Sequence, residues 1–113
     1  MKQPQANYVP SHATPVSEPE PGMRRQVLAY NQKMMLVRHH FLKGWKGASH
    51  SHPHEQLVYV VSGKITLECG GRSFELQSGD SMIVEGNVRH QAFALEDAEV
   101  LDLFAPYRED YAE

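Results

Sequence analysis

The sequence from residue 44 to residue 56 reads GWKGASHSHPHEQ, and it continues through LVYVVS to a glycine at position 63. The chain has seven histidines, and three of them, His50, His52 and His54, lie within five consecutive positions of this stretch. Side chains on an extended strand alternate between two faces, so His50 and His52 point the same way. Two imidazoles on one face can chelate a metal ion, and the stretch therefore predicts a metal site.

A second stretch, from residue 79 to residue 90, reads GDSMIVEGNVRH and supplies a third imidazole. Turn signals at residues 78–80 and 85–87 fold this segment back, so His90 can close the site. A lone histidine is more often solvated or hydrogen-bonded than a ligand, and that is the expectation for His12, His39, His40 and His54. His54 shares the parity of His52, but Pro53 interrupts the strand and the motif spacing skips this residue, so its facing stays open.

Outside these stretches the chain has the composition of one small all-β domain. Its 113 residues, 41% hydrophobic and 22% charged, suffice for a single core. We expect strands at residues 24–30, 33–42, 50–53, 56–62, 64–69, 72–77, 81–84, 89–94 and 98–104. Residues 1–22 hold five of the seven prolines and are predicted to be an irregular N-terminal arm, with the barrel domain at 23–113.

The bulk properties also exclude several classes of function. The net charge is −3, without a basic face, so nucleic-acid binding has no electrostatic support. The apolar runs are too short for a transmembrane helix, and the first residues lack the apolar core of a secretory signal. Cys69 is the single cysteine, which fits a reducing compartment. We therefore expect a cytoplasmic protein without membrane or nucleic-acid partners.

The end of the chain carries a second set of candidate site residues. In the predicted strand 98–104, alternation places Leu101 and Leu103 on one face and Asp102 with Phe104 on the other. If the leucines pack outside, Asp102 points into the barrel, where a carboxylate needs a partner. Arg108 could then clamp a substrate carboxylate, or it could form an ion pair with Asp102 at the rim.

The two histidine stretches resemble the two motifs of the cupins. The first motif, G-x5-H-x-H-x3–4-E-x6-G, is matched at every spacing from Gly44 to Gly63, with Gln56 in the place of the usual Glu. The second, G-x5-P-x-G-x2-H, is matched at Gly79 and His90, but Glu85 and Asn87 replace its Pro and Gly. The resemblance implies an RmlC-like jelly-roll barrel, also called a double-stranded β-helix. It implies one divalent metal ion held by the ligand set His50, His52, Gln56 and His90.

A narrower resemblance links the chain to one group of small cupins. The sequences HSHPHEQ at 50–56 and FAPYREDY at 104–111 are similar to stretches of the KdgF-type cupins of pectin and alginate breakdown. That resemblance implies conversion of an unsaturated uronate monomer, released by polysaccharide lyases, into its linear keto form. It also implies a homodimer and substrate roles for Asp102, Phe104 and Arg108.

These expectations combine into a mechanistic hypothesis and leave two alternatives. Arg108 binds the substrate carboxylate, Asp102 transfers the proton, and Phe104 covers the sugar ring. Three imidazoles and an amide leave the full charge on the ion, which favours Lewis-acid chemistry over an iron oxygenase. The donor set does not select among Ni, Zn, Fe, Mn and Co. The alternatives are a metal-dependent dioxygenase acting on a small organic substrate and a non-catalytic sugar-binding cupin.

Overall fold

The computed structural model describes residues 3–112. Strand-forming residues alternate between buried and exposed positions, as expected for antiparallel sheets with one covered face. Among the described residues the elements are a short 3-10 turn at Ser11–Ala13 and the strands β1 (Val16–Glu20), β2 (Met23–Tyr30), β3 (Met35–Phe41), β4 (Glu55–Ser62), β5 (Lys64–Cys69), β6 (Arg72–Gln77), β7 (Ser81–Val84), β8 (His90–Ala94) and β9 (Ala98–Ala105). The prediction of an all-β fold is confirmed.

The strands form two sheets that enclose the core. The larger sheet has the order β1-β2-β3-β9-β4-β7 and the smaller has the order β6-β5-β8. Inward side chains of both sheets meet in one hydrophobic cluster, in which Val60 is fully buried and Ile65 is 2% exposed. β9 lies between β3 and β4, and its inward positions alternate with its outward leucines. Asp102 and Phe104 therefore point into the barrel.

The turn between β4 and β5 shows why one motif glycine is required. Gly63 has a φ of +82°, a conformation that residues with a side chain seldom adopt. A Cβ at this position would also collide with the carbonyl oxygen of Asp97. This glycine therefore allows the tight turn that leads the chain from β4 of the larger sheet into β5 of the smaller sheet.

The N-terminal arm differs from the irregular segment that the composition predicts. Val16–Glu20 forms β1 at the edge of the larger sheet, although every residue of this strand is exposed. The buried Gln26 fixes the preceding turn, because its amide nitrogen donates to the carbonyl oxygens of Ser11 (2.7 Å) and Thr14 (3.2 Å). Backbone pairing with β2 and the side-chain amide of Gln26 thus order β1. The sequence did not predict this strand, because its residues show no apolar alternation. The boundary at residue 22 stays a prediction.

The strand predicted at residues 50–53 is the other departure. Only an isolated bridge between His50 and His90 is present there, and the segment is otherwise a loop. Pro53 has no amide hydrogen to donate, which prevents continuous pairing toward β4. In the part of the chain that the structure describes, no helix has the length and apolar character needed to cross a bilayer.

Candidate metal centre

Main-chain hydrogen bonds join the two histidine stretches. His50 and His90 exchange both backbone hydrogen bonds, at 3.0 and 2.8 Å. The amide of Asn87 donates to the carbonyl of His52 at 2.7 Å, and the φ of Asn87 is +71°. Asparagine tolerates this left-handed conformation better than most residues. The departure from the motif glycine at position 87 therefore leaves the loop geometry intact.

The three predicted imidazoles come together at one end of the barrel. The candidate ligand atoms of His50, His52 and His90 all lie within 4.8 Å of one another. In each ring Nδ1 faces a backbone carbonyl, which can only accept a hydrogen bond, so Nδ1 carries the proton. The carbonyls belong to Ala48, His54 and Val88, at 3.0, 3.1 and 2.8 Å respectively. Every Nε2 is thereby left with a free lone pair.

Two observations show that this group fits a cation. The buried Nε2 of His90 has no hydrogen-bond partner among residues 3–112. The Nε2 of His52 lies 3.0 Å from Oε1 of Gln56, and with Nδ1 protonated both atoms are acceptors. A cation between such atoms removes a repulsion that a neutral site would keep. The residues present therefore fit a divalent metal ion, whereas the identity of the metal does not follow from them.

Burial keeps two of these imidazoles neutral, which is the form that binds metals. Desolvation, with a smaller contribution from the charge of Arg108, lowers the pKa of His52 from 6.5 to about 4. Desolvation also lowers the pKa of His90. A neutral imidazole has no proton to lose before it ligates, so both rings are ready for a metal near pH 7.

Gln56 connects the candidate metal group, which consists of His50, His52 and His90, to a buried carboxylate. Its amide nitrogen donates to Oδ1 of Asp102 at 2.8 Å, while its Oε1 faces His52. An ionised carboxylate can only accept hydrogen bonds, so this contact fixes which end of the amide faces the imidazoles. The orientation suits Gln56 as a fourth ligand, a role that stays a prediction.

Two further residues that the sequence analysis did not select lie behind Asp102. Nδ1 of His39 is 2.7 Å from Oδ2 of Asp102, and both side chains are more than nine-tenths buried. Arg25 donates from Nε to Nε2 of His39 at 3.1 Å. Arg25 is half-buried and contacts a buried imidazole, so it is not an arginine that is simply solvated at the surface. The parity of His39 with Val37 and Phe41 was the available sequence signal, since all three face inward.

Arg108 is paired with Asp110 and not with Asp102. Its Nε and Nη2 reach the two carboxylate oxygens of Asp110 at 3.0 and 2.7 Å, and the side chain of Arg108 is 10% exposed. This contact lowers the pKa of Asp110. Tyr111 lies between two guanidinium groups, 3.8 Å from that of Arg25 and 4.1 Å from that of Arg108. The alternative of a rim ion pair between Asp102 and Arg108 is therefore wrong.

Phe104 packs between the imidazoles and the chain end. It is 2% exposed, and its ring lies edge-on to those of His52 and Tyr111, with both centroid separations at 5.7 Å. His54 also contacts Phe104, at 6.4 Å between centroids, but lies outside the three-histidine group. Arg38 points away from the cavity and pairs with Glu99 at 3.3 Å. The position of His54 answers the question of its facing that the sequence left open.

Most of the predicted site residues line one cavity of about 360 Å³, a volume within the range of small-molecule sites. His52 is not among the lining residues, although its ring contacts those of His50 and His90. Apolar side chains of both sheets, such as Val58 and Ile65, also line the cavity. Its polar lining residues include Arg25, His39, His50, Gln56, His90, Asp102 and Arg108. The cavity thus combines a candidate metal group, a buried carboxylate and two arginines.

Comparison with known proteins assigns this arrangement to a family. The model of the cupin domain matches residues 37–104. The pectin degradation protein KdgF of Dickeya dadantii (strain 3937) is 33% identical over 106 residues, which cover 92% of this chain and 96% of that protein. Two solved structures superpose on this chain, each with a TM-score of 0.89. The first is KdgF from Halomonas sp., which is 34% identical, and the match covers 96% of this chain and all of that one. The second is an RmlC-like cupin from Shewanella frigidimarina NCIMB 400, which is 32% identical, and the match covers 96% of this chain and 97% of that one. The chain is therefore a cupin, and it belongs to the KdgF family.

Proposed function

We propose that this protein is an enzyme that converts unsaturated uronate monomers, as released by pectin or alginate lyases, to their linear keto form. The observation that carries the proposal is Asp102, a buried carboxylate in the cavity wall that bridges His39 and Gln56 beside three imidazoles. The likeness to a pectin degradation protein over nearly the whole chain supports the same substrate class.

The proposed reaction is an isomerisation in which protons move but none are gained or lost overall. The hydroxyl group on the hemiacetal carbon loses its proton, and the bond between that carbon and the ring oxygen breaks to give an aldehyde and an enolate. The enolate then takes up one proton on carbon and becomes a ketone. Asp102 can accept the first proton and return one to carbon, because its side chain lines the cavity from a strand in the middle of the larger sheet. Phe104 supplies an apolar wall that limits the access of water to this proton transfer.

Arg108 is proposed to bind the substrate carboxylate. Its guanidinium is buried, lines the cavity and can form two parallel hydrogen bonds to a carboxylate. Asp110 currently takes both of those hydrogen bonds and is itself 58% exposed. The substrate carboxylate therefore has a ready-made bidentate site, provided that Asp110 moves toward solvent.

A divalent metal would be held by His50, His52, His90 and Gln56, and as a Lewis acid it would supply stabilisation of negative charge on a substrate oxygen. Nickel, zinc, iron, manganese and cobalt all accept imidazole ligands, so the donor set allows each of them. Gln56 contributes no charge, and Asp102 is then the one carboxylate of the lining close to the three imidazoles.

Asp102→Asn tests the proposed function. We expect ketonisation, followed as the loss of ultraviolet absorbance of a freshly released unsaturated uronate, to slow by roughly 100- to 10,000-fold. Bound metal, measured by elemental analysis, should remain stoichiometric because the three imidazoles are untouched. Glu99→Gln is the matched control, since Glu99 lies on the outer face of the same strand and pairs with Arg38. Full activity in Asp102→Asn would refute the assignment, and no activity in the metal-loaded parent would refute the function.

We further propose that the protein is a homodimer that covers the outer face of the larger sheet. Leu57, Tyr59 and Ile83 are 37%, 43% and 57% exposed there. Register places Leu57 beside both Ile83 and Leu103, and Tyr59 beside Leu101, so the apolar surface is continuous. A contiguous patch of this kind commonly marks an interface. The proposed location is the cytoplasm, in keeping with the unpaired Cys69.

Tyr59→Glu should abolish this dimer, because it buries a charge in the proposed interface. Sedimentation equilibrium would then give the mass of one chain where the parent gives two. Leu42→Glu is the control, since Leu42 is 61% exposed but lies outside the patch. A monomeric parent would contradict the proposal directly.

A further inference from the structure

We propose that Arg25 and His39 are positioning residues for Asp102, and that these three residues form one hydrogen-bonded chain that ends at Gln56, whose Oε1 faces His52. The inference rests on the proposed function for the role of Asp102 in proton transfer. The chain runs from Arg25 through His39 and Asp102 to Gln56, with three consecutive contacts of 3.1, 2.7 and 2.8 Å.

Arg25 fixes the directions of the first two hydrogen bonds in this chain. The Nε of Arg25 can only donate, so Nε2 of His39 must accept and cannot carry a proton. The proton of the neutral ring then lies on Nδ1, which points at Oδ2 of Asp102. Arg25 therefore selects the tautomer in which His39 donates to the carboxylate.

The same logic extends to the metal group. Asp102 accepts one hydrogen bond on each oxygen, from His39 on Oδ2 and from Gln56 on Oδ1. The carboxylate is thereby held in one orientation, and it in turn holds the amide of Gln56 with Oε1 toward His52. Loss of His39 would free the carboxylate to rotate and would loosen the amide that it holds.

Packing keeps both positioning residues in place. The ring of His39 is stacked on that of Phe41, with centroids 5.5 Å apart and planes 11° apart. The guanidinium of Arg25 lies over the ring of Tyr111 at the chain end. These contacts restrict the rotamers of the two side chains, so the hydrogen-bonded arrangement needs little reorganisation when substrate enters.

The first experiment measures the tautomer of His39 without any dependence on activity. Long-range nitrogen–proton NMR of the zinc-loaded protein, labelled on histidine nitrogens, should show a neutral ring with its proton on Nδ1. In Arg25→Leu the signal should shift toward a mixture of tautomers, and Arg25→Lys, which keeps a donor, should restore the single form. A proton on Nε2 of His39 in the parent would overturn the proposal.

The second experiment measures the consequence for the reaction and for the metal. His39→Leu should lower kcat by about 10- to 100-fold with little change in KM, and should weaken metal affinity, measured against a chelator, by less than about tenfold. His39→Asn, whose amide nitrogen can take the place of Nδ1, should recover much of kcat. His40→Leu is the control, because His40 lies next in sequence but faces outward.

Equal losses in His39→Leu and His40→Leu, or no recovery in His39→Asn, would reduce His39 to a structural residue. If His39→Leu fails to fold, the comparison of His39→Asn with the parent and the NMR measurement still decide. A parent without ketonising activity would remove the proposed function, whereas the tautomer and metal-affinity measurements would still test the chain of hydrogen bonds. The two failures are therefore distinguishable.

Discussion

The imidazoles and the carboxylate of this site are held in different ways. Each of the rings of His50, His52 and His90 is oriented by a backbone carbonyl, and main-chain hydrogen bonds join the two segments that carry them. Asp102 is oriented by side chains alone, from His39 and Gln56. Backbone carbonyls survive most substitutions, whereas a side-chain network is lost with any member. The metal group should thus tolerate change nearby, and the carboxylate should not.

Gln56 links the imidazoles to the carboxylate. Its replacement by Glu should separate the two regions most strongly, because metal binding and activity should respond in different ways. A carboxylate at position 56 still offers oxygen to a metal and adds charge, so metal affinity should be kept or increased. It cannot donate to Asp102, and it places like charges side by side. We expect kcat to fall by about 10- to 100-fold while metal content, measured by elemental analysis, stays at one per chain.

The matched variant Gln77→Glu should leave both quantities unchanged, because Gln77 is an exposed residue at the end of β6. Loss of the metal from Gln56→Glu together with activity would contradict the division into two regions. Activity equal to that of the parent would show that the amide hydrogen bond to Asp102 has no role in the reaction.

Asp110→Asn should have a smaller effect, because it acts on a partly exposed ion pair. Asn keeps the shape of Asp110 but removes the charge that competes with a substrate carboxylate for Arg108. An exposed pair of this kind contributes at most about 1 kcal/mol, so KM should decrease by no more than about fivefold, with kcat unchanged. Steady-state kinetics measure both quantities. Glu109→Gln is the control, because Glu109 is an exposed neighbour of Asp110. An increase in the KM of Asp110→Asn would argue against Arg108 as the residue that binds the substrate carboxylate.

The last prediction concerns the imidazoles alone: the stability of the metal-free protein should depend on pH. Burial lowers the pKa of His52 from 6.5 to about 4 and lowers that of His90, so the unfolded chain binds more protons below about pH 6.5. The free energy of unfolding should therefore fall as pH decreases from about 6.5 toward 4. Urea unfolding at a series of pH values measures this, and His52→Gln should flatten the dependence. An unchanged slope in that variant would contradict the assignment to His52.

The sequence by itself determined most of the fold and the metal group. Alternation and turn residues predicted β5, β6 and β7 with the bounds that the structure has. The period of two also placed His50 and His52 on one side, and motif spacing added His90, although a strand at 50–53 was wrong. These features can be read from the sequence, since each depends either on neighbours within a few positions or on the spacing between motif residues.

Only the tertiary structure decided how the carboxylate is held. His39 and Asp102 are 63 positions apart, and they meet because β3 and β9 are adjacent in the larger sheet. Strand parity indicated that both side chains face inward, but strand order and register, which set the distance between them, are not local properties. The same holds for Arg25, which reaches His39 from β2. Local pattern thus determines which side chains enter the barrel, and the pairing of distant strands determines which of them touch.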